Sequence, residues 1–269
     1  MFYAKIILMR YKSFLVFVLT FLVVSLSAFA DDMRFVQVTD VRYNSADEND
    51  FFAKTIKDIN KQKDVEFVVF TGDNINKPDK DELEAFINEA KKLKCPFYLV
   101  IGDKDVNKHK DLSKKQYVKE IHRHIRKFKS ESPNYVFEKN GFVFMVVDGA
   151  KDVIPGTNGF YKDDVLSWLN TQLDLYKDKN VIIFQHFPLI PPSSKETYYT
   201  FKPENYLKIL YNHKNVKAVI SGHFGVNSEQ HFDGISHITT AGLPYYRIID
   251  IMDYETTNPT IWAELKEVK

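Results

Sequence analysis

Val65-Glu66-Phe67-Val68-Val69-Phe70-Thr71-Gly72-Asp73-Asn74 is the stretch on which the fold turns. Five of its first seven residues are apolar and lack the alternation of a half-exposed strand. It therefore reads as a strand buried on both faces, the habit of parallel sheets. The run stops at a glycine, and a carboxylate and an amide follow at once. A helix carrying Phe51, Phe52, Ile56 and Ile59 precedes it, and Asp79 to Leu93 follows with Leu83, Phe86, Ile87 and Ala90 at helical spacing. Further strands are predicted on either side, Arg34 to Thr39 and, after Pro96, Phe97 to Ile101.

The second half of the chain opens with a basic helix near 114–128. Tyr135-Val136-Phe137 and Phe142 to Val147 flank Asn140-Gly141, a dipeptide that favours a two-residue hairpin. Asp163 to Tyr176 reads as a helix with Val165, Trp168, Leu169, Gln172 and Leu173 on one side, and Val181 to Phe184 as another buried strand. Pro203 suits the first position of a short helix, and Lys217 to Ser221 makes the next strand. His231 to Ile251 reads as antiparallel strands turned at Asp233-Gly234. Alternating strands and helices followed by antiparallel strands predict an α/β fold: two packed mixed β-sheets flanked by helices, a four-layer αββα sandwich. No repeat or Gly/Ser/Pro linker divides residues 31–269, which read as one domain.

Of the 269 residues, 44% are hydrophobic and 27% charged, the balance of a globular protein with a substantial core. Lys5, Arg10 and Lys12 precede the apolar run Phe14 to Leu26, and Ala28-Phe29-Ala30 offers small residues at a cleavage spacing. Residues 1–30 are therefore expected to be a signal peptide, directing the protein to the periplasm or outside the cell. An uncleaved anchor is the competing reading, although the run is shorter than the roughly 20 residues that span a bilayer. Cleavage removes three basic residues and no acidic ones, leaving 34 basic against 36 acidic, a net charge of −2. That balance excludes the electrostatic footprint of a nucleic-acid binder. The lysines around 104–129 read as a solvated helix face. Cys95, the single cysteine, permits no internal disulfide and reads as a small buried hydrophobe.

The chemistry lies at the strand ends, where α/β sheets place their sites. The first strand ends at Asp40, the second at Gly72-Asp73-Asn74 and the third at Gly102-Asp103-Lys104-Asp105. Later strands end at Gln185-His186-Phe187-Pro188 and Gly222-His223-Phe224-Gly225. Singly, each is an ordinary turn or cap. Together they gather carboxylates and imidazoles that a divalent cation would neutralise, and mixed Asp/His ligation favours zinc, manganese or iron.

In this order the blocks resemble the calcineurin-like metallophosphoesterase superfamily, whose motifs run Asp-x-His, Gly-Asp, Gly-Asn-His-Asp/Glu, His often followed by His-Pro, and Gly-His-x-His. The resemblance extends over nearly all of residues 31–269, including Asp164 to Pro188 and Ile238-Thr239-Thr240 through Tyr246-Arg247-Ile248. It implies a metal-dependent phosphoesterase, cleaving phosphomonoesters or phosphodiesters of small molecules or nucleotides at two ions bridged by Asp73. One ion would take Asp73, Asp103, His186 and His223. The other would take Asp40, Asp73 and imidazoles at positions 42 and 225, where this chain has Arg42 and Gly225.

The metal candidates are thus Asp40, Asp73, Asp103, His186 and His223, and the catalytic candidates Arg42, Lys104 and Asp105. The guanidinium of Arg42, always protonated, is expected to lie between Asp40 and Asp73 in place of one ion, so that a single ion remains. Lys104 stands where the family has a phosphate-contacting His. A lysine serves there as a point charge, since its ordinary pKa of about 10.4 makes it a poor general acid. His122 and His124 would face apart on their helix, and His231 and His237 read as ordinary strand residues. The missing imidazoles also suit a pseudoenzyme, an exported binding or scaffold protein. Specificity would come from loops at Asn107 to Lys115, Ala150 to Tyr161 and Ile190 to Tyr199, with Tyr198 and Tyr199 either stacking on substrate or anchoring their loop.

Overall fold

The structure is a computed structural model that describes residues 33–46, 51–125, 128–253 and 256–269. The expected signal peptide lies outside the described residues. Strands β1 (Met33–Val38), β2 (Val65–Thr71) and β3 (Phe97–Val100) alternate with helices α1 (Phe51–Ile59), α2 (Lys80–Ala90) and α3 (Lys114–His124). A hairpin of β4 (Tyr135–Lys139) and β5 (Phe142–Val146) follows, turned at Asn140-Gly141. Then come α4 (Asp163–Leu175), β6 (Val181–Phe184), α5 (Glu204–Asn212), β7 (Val216–Ser221), β8 (Ser228–Phe232), β9 (Ile235–Thr239), β10 (Tyr245–Met252) and β11 (Thr260–Glu267). No helix among the described residues is long and apolar enough to cross a membrane.

The strands form two mixed sheets, one in the order β11-β10-β1-β2-β3 and one in the order β4-β5-β6-β7-β9-β8. Within them β1-β2-β3 and β5-β6-β7-β9 run parallel. Phe35 and Phe67 from the first sheet meet Phe144 and Phe184 from the second at ring separations of 5.0–6.3 Å. This packing of inward-facing aromatics holds the sheets together. On the outer face of the first sheet Phe52, Ile56, Leu83, Phe86, Tyr117 and Ile121 bring in α1, α2 and α3. On that of the second, Leu166, Leu169, Leu173, Tyr206 and Leu210 bring in α4 and α5. The four-layer αββα expectation is met.

Three details differ from the sequence reading. The basic helix stops at His124, since Ile125 turns to φ −120°, ψ 91° to pack inward. The tail does not stay in one sheet: β8 and β9 form the hairpin turned at Asp233-Gly234, but β10 crosses to pair with β1. Strand β11 was not foreseen, because Thr260–Glu267 mixes charges into an edge strand and buries only one side.

One buried polar chain crosses the otherwise apolar seam. Gln37 Nε2 donates to Thr71 Oγ1 (2.8 Å) and to the Ser221 carbonyl (2.9 Å), and its Oε1 accepts from the Thr240 hydroxyl (2.6 Å). Arg247 Nε donates to Thr240 Oγ1 (3.0 Å), and its Nη1 pairs with Glu229 of the second sheet. Gln37 thereby ties β1, β2 and β7 together two or three residues before Asp40, Asp73 and His223. Replacing it by methionine keeps the volume and strands these partners. Each buried polar group left unpaired costs about 1–3 kcal/mol. We expect Gln37→Met to lower the midpoint of thermal unfolding by roughly 4–12 °C; a change within about 2 °C would show that the tie carries no stability.

Candidate metal centre

The loops leaving β1, β2, β3, β6 and β7 converge on one edge of the sandwich. The first two run side by side, with Asp40 N bonded to the Gly72 carbonyl (3.0 Å) and Arg42 N to that of Asp73 (2.8 Å). Gly222 N bonds the His186 carbonyl (3.0 Å), locking the loops of the second sheet. Crowding explains two of the glycines. A Cβ on Gly72, at φ +94°, would lie 2.5 Å from the His186 ring, and one on Gly222 would lie 1.9 Å from Thr39 Oγ1. Asp40, Arg42, Asp73 and His223 take left-handed φ values of 49°, 48°, 50° and 74°. Such conformations are costly for residues other than glycine and tend to gather at functional sites.

At the junction, His186 Nδ1 lies 2.7 Å from the Thr71 carbonyl and donates to it, which leaves Nε2 as a lone pair facing the centre when the ring is neutral. Around it, His186 Nε2 stands 3.4 Å from Asp103 Oδ1 and 3.2 Å from His223 Nδ1, and His223 Nδ1 stands 3.2 Å from Asp103 Oδ1. A tetrahedral ion with bonds of about 2.0–2.1 Å has ligand–ligand edges of about 3.3–3.4 Å. The three atoms thus already lie at the edge lengths of one coordination sphere. Asp103 Oδ1 is buried without a hydrogen-bond partner, and two imidazole nitrogens facing each other cannot both keep lone pairs cheaply. The donor set fits a divalent transition metal with three protein ligands and one position open, the arrangement of catalytic sites.

The four residues expected to share one ion fall into two groups that overlap at His186: Asp103, His186 and His223, and Asp40, Asp73 and His186. Asp73 Oδ1 flanks His186 Nε2 at 3.4 Å and accepts from Lys104 N (2.9 Å). The second group holds Arg42 as sequence reasoning expected. Its Nη2 bonds Asp40 Oδ1 at 3.1 Å, and its Nε lies 3.6 Å from Asp73 Oδ2, an ion pair too long for a hydrogen bond. The side chain of Arg42 is 45% exposed, so one face of the guanidinium reaches solvent. Asp40 is otherwise engaged, its Oδ2 accepting from His223 N (2.8 Å) and Thr39 Oγ1 (2.9 Å).

Charge dominates this cluster. Burial works against a charged His186, yet Asp73, Asp103 and Asp40 outweigh it and push its pKa up to about 10. Burial pushes Asp73 up to about 8, against the pull of His186. Burial would also raise Asp103, but His186 and His223 hold it well below the usual carboxylate range. Burial and the neighbouring charge of His186 lower His223, against the pull of Asp103. Without an ion the cluster therefore keeps a proton in the cation's place at neutral pH.

Asp105, expected to be catalytic, lies behind the centre instead. Fully buried, it accepts from Gly102 N (2.7 Å), Ile75 N (3.0 Å) and Asn74 Nδ2 (3.1 Å), which makes it a brace for the Gly102–Asp105 turn. Lys104 is half-buried beside Asp73, and no described residue pairs with its ammonium. Tyr198 packs edge-on against His223 (4.9 Å) and Tyr199 stacks on Phe224 (6.2 Å), so both anchor their loop. His122 meets the Ser130 carbonyl while His124 lies near Glu84 and Glu120, well apart as expected. Sequence reasoning missed Gln37 and the Asp148–Lys114 ion pair (2.5 Å), which joins the end of β5 to the start of α3. A glutamine inside an apolar strand was the available signal for the first.

Residues 33–227 match the family model described as calcineurin-like phosphoesterase. A probable cyclic nucleotide phosphodiesterase of Xenorhabdus bovienii is 23% identical over 176 residues, 59% of this chain and 64% of that protein. A probable glycerophosphodiester phosphodiesterase, GpdQ, of Arcobacter nitrofigilis is 28% identical over 174 residues, 58% of this chain and 57% of that protein. The chain spans less than two thirds of the length of either relative. A dimetal phosphatase from Danio rerio shares the fold with a TM-score of 0.65 at 16% identity, over 88% of this chain and 99% of that one.

Metal binding must expel the protons held by His186 and Asp73, because a ligand nitrogen or carboxylate has to be deprotonated. The sign follows: affinity for manganese or zinc rises with pH from neutrality through about 8 and toward about 10, where these groups lose their protons unaided. Calorimetric titration in buffers of different ionisation enthalpy is expected to show between one and two protons released per ion near pH 7, one from His186 and up to one from Asp73. Proton-neutral binding would show that the cluster is already ion-ready.

Proposed function

The chain belongs to the calcineurin-like phosphoesterase family, and we propose that it hydrolyses phosphate esters at a centre holding one divalent ion of zinc, manganese or iron. The observation that carries this reading is the convergence of Asp103 Oδ1, His186 Nε2 and His223 Nδ1 within one coordination sphere, with Asp103 Oδ1 buried and without a hydrogen-bond partner. Asp73 flanks them, its Oδ1 3.4 Å from His186 Nε2. An ion bound there supplies Lewis-acid polarisation of a phosphoryl oxygen and acidifies water.

The chain's own residues do the rest. Arg42, fixed by Asp40 and Asp73, holds a permanent positive charge where the family motif has a metal-binding imidazole, and its free donors meet a phosphoryl oxygen in the geometry that guanidinium prefers. Lys104 adds a second positive charge at the rim. Asp105 and the Thr71 carbonyl hold the ligand-bearing turns still. Water adds to phosphorus, the P–O bond to the alcohol breaks, and the alcohol departs with a proton. The names of two relatives, both phosphodiesterases, support an ester substrate of this type. Export through residues 1–30 belongs to the same proposal.

Lys104 and Arg42 also favour a second reading, binding without hydrolysis, since neither cation is an ordinary proton donor at neutral pH. Kinetics separate the two. The metal-loaded protein is expected to hydrolyse p-nitrophenyl esters. Arg42→Ala should raise KM about 10- to 100-fold, the worth of one charge-assisted contact. His186→Ala should remove metal and turnover together. Metal uptake with no turnover of any ester would replace the enzyme by the binding protein.

A further inference from the structure

The loops that leave β3, β5 and β6 are bonded side by side into one strip along the edge that carries the ligand cluster, and residues 107–115, 150–161 and 190–202 of these loops all lie within the described residues. Lys108 N donates to the Asp152 carbonyl (2.6 Å) and His109 Nε2 to that of Val153 (3.1 Å). Further along, Thr157 Oγ1 donates to the Thr197 carbonyl (2.7 Å), Asn158 Nδ2 to that of Tyr199 (3.1 Å) and Phe201 N to that of Gly159 (2.7 Å). The strip adjoins the centre, because Tyr198 packs on the His223 ring and Tyr161 donates to the carbonyl of Phe187, the residue after His186 (3.0 Å). We propose that this strip docks the protein on an anionic phospholipid surface, with the edge of Asp103, His186 and His223 toward the lipid. Docking of this kind does not depend on hydrolysis at the centre.

The apolar tip is what a membrane would take up. Gly149 and Phe160 close the loop after β5 at its base (2.9 Å), which leaves Val153-Ile154-Pro155 at its far end. All three are exposed, Ile154 by 79% and Val153 by 49%. Single exposed aliphatics are ordinary. Three in succession at the end of a loop serve no packing in the chain itself and mark a contact with something else. On the neighbouring loop Phe201, 56% exposed, sets its ring edge-on to Phe160 at 5.9 Å and adds an aromatic side chain to the same strip.

The charges around the tip select the lipid. Residues 107–115 and 150–161 carry five lysines against two aspartates. Lys114 is taken up by the buried Asp148, and Asp152 accepts from Lys114 N (3.2 Å). Lys108, Lys110 and Lys115 are exposed, and Lys151 Nζ lies 3.2 Å from where a Cβ on Gly156 would stand, at the neck of the tip. On the third loop Lys202 lies over the Phe201 ring (5.3 Å). Long cationic side chains keep their ammonium groups among the headgroups while apolar neighbours enter the acyl boundary. Each is worth about fivefold in binding to an anionic membrane surface. The same composition speaks against a protein partner, since protein interfaces favour arginine and exposed aromatic anchors and are depleted in lysine. The strip holds no arginine, and Tyr198 and Tyr199 turn inward onto His223 and Phe224.

The test is sedimentation of the purified protein with vesicles of phosphatidylglycerol and phosphatidylcholine in equal parts. Replacing Lys108, Lys110 and Lys151 together by alanine, and separately Ile154→Glu, should each weaken binding at least about tenfold. All four side chains lie outside the core, so the midpoint of thermal unfolding should not move. Added salt should weaken the wild type and spare the lysine variant. Position is read with bromine-labelled lipids: the added fluorescence of Ile154→Trp should be quenched, and the native fluorescence from Trp168 and Trp262 should not. Failure of the wild type to bind, or binding unmoved by both sets of substitutions, overturns docking by this strip. So does binding in which Ile154→Trp escapes quenching, since another face then meets the lipid. Self-association that Ile154→Glu abolishes, without any vesicle binding, would instead make the strip an interface between two copies of the chain and also overturns it.

Discussion

Three carboxylates brought to one dry sheet edge must be compensated, and most of what is unusual in this protein follows from how that is done. Asp40, Asp73 and Asp103 end three neighbouring parallel strands, so the topology itself places their charges together. Like charges at this range and burial cannot all stand ionised alone. Arg42 answers two of them with a cation that cannot dissociate or titrate away. The remaining side, facing His186 and His223, is left short of a cation and short of hydrogen-bond partners. That asymmetry is the basis for proposing one ion here, whereas the structural neighbour from Danio rerio is by its name a dimetal phosphatase.

The centre is also a joint between the two sheets. Its carboxylates come from the first sheet and its imidazoles from the second, so its geometry is only as good as the registration of one sheet against the other. Stacked phenylalanines fix the separation of the sheets but leave sliding cheap, because apolar contacts are not directional. Gln37, Thr240 and Arg247 supply the missing direction directly beneath the ligand loops. A buried polar chain of this kind specifies one arrangement when every member is satisfied. The left-handed residues Asp40, Arg42, Asp73 and His223 add strain that this well-braced surrounding sustains.

Much of this was legible in the sequence, and the limits are physical. Apolar runs ending in Gly-Asp or Gly-His announced both the parallel strands and the edge where chemistry collects, since burial on both faces leaves an unmistakable pattern at Val65–Thr71 or Val181–Phe184. The contact of Arg42 with Asp40 and Asp73 was foreseeable because a permanent cation two residues from a carboxylate has few better places to go. Strand partnership in the tail was not, because β10 could have continued beside β9, and only closure of the first sheet against β1 decides otherwise. The placement of Asp105 was not legible for a related reason: a motif gives residue types in order, whereas its bonds to Ile75 N and Gly102 N depend on how the backbone folds around it. The separation of Asp73 from the triad of Asp103, His186 and His223 likewise exists only in three dimensions.

The central claim is that Arg42 occupies the place of an ion and leaves room for one. Elemental analysis of the purified protein, after equilibration with excess manganese or zinc and removal of the unbound metal, tests it most directly, with Arg42→His alongside. The account predicts one equivalent per chain in the wild type. Two equivalents in the wild type would contradict it, since the guanidinium between Asp40 and Asp73 and a second divalent ion cannot share that space.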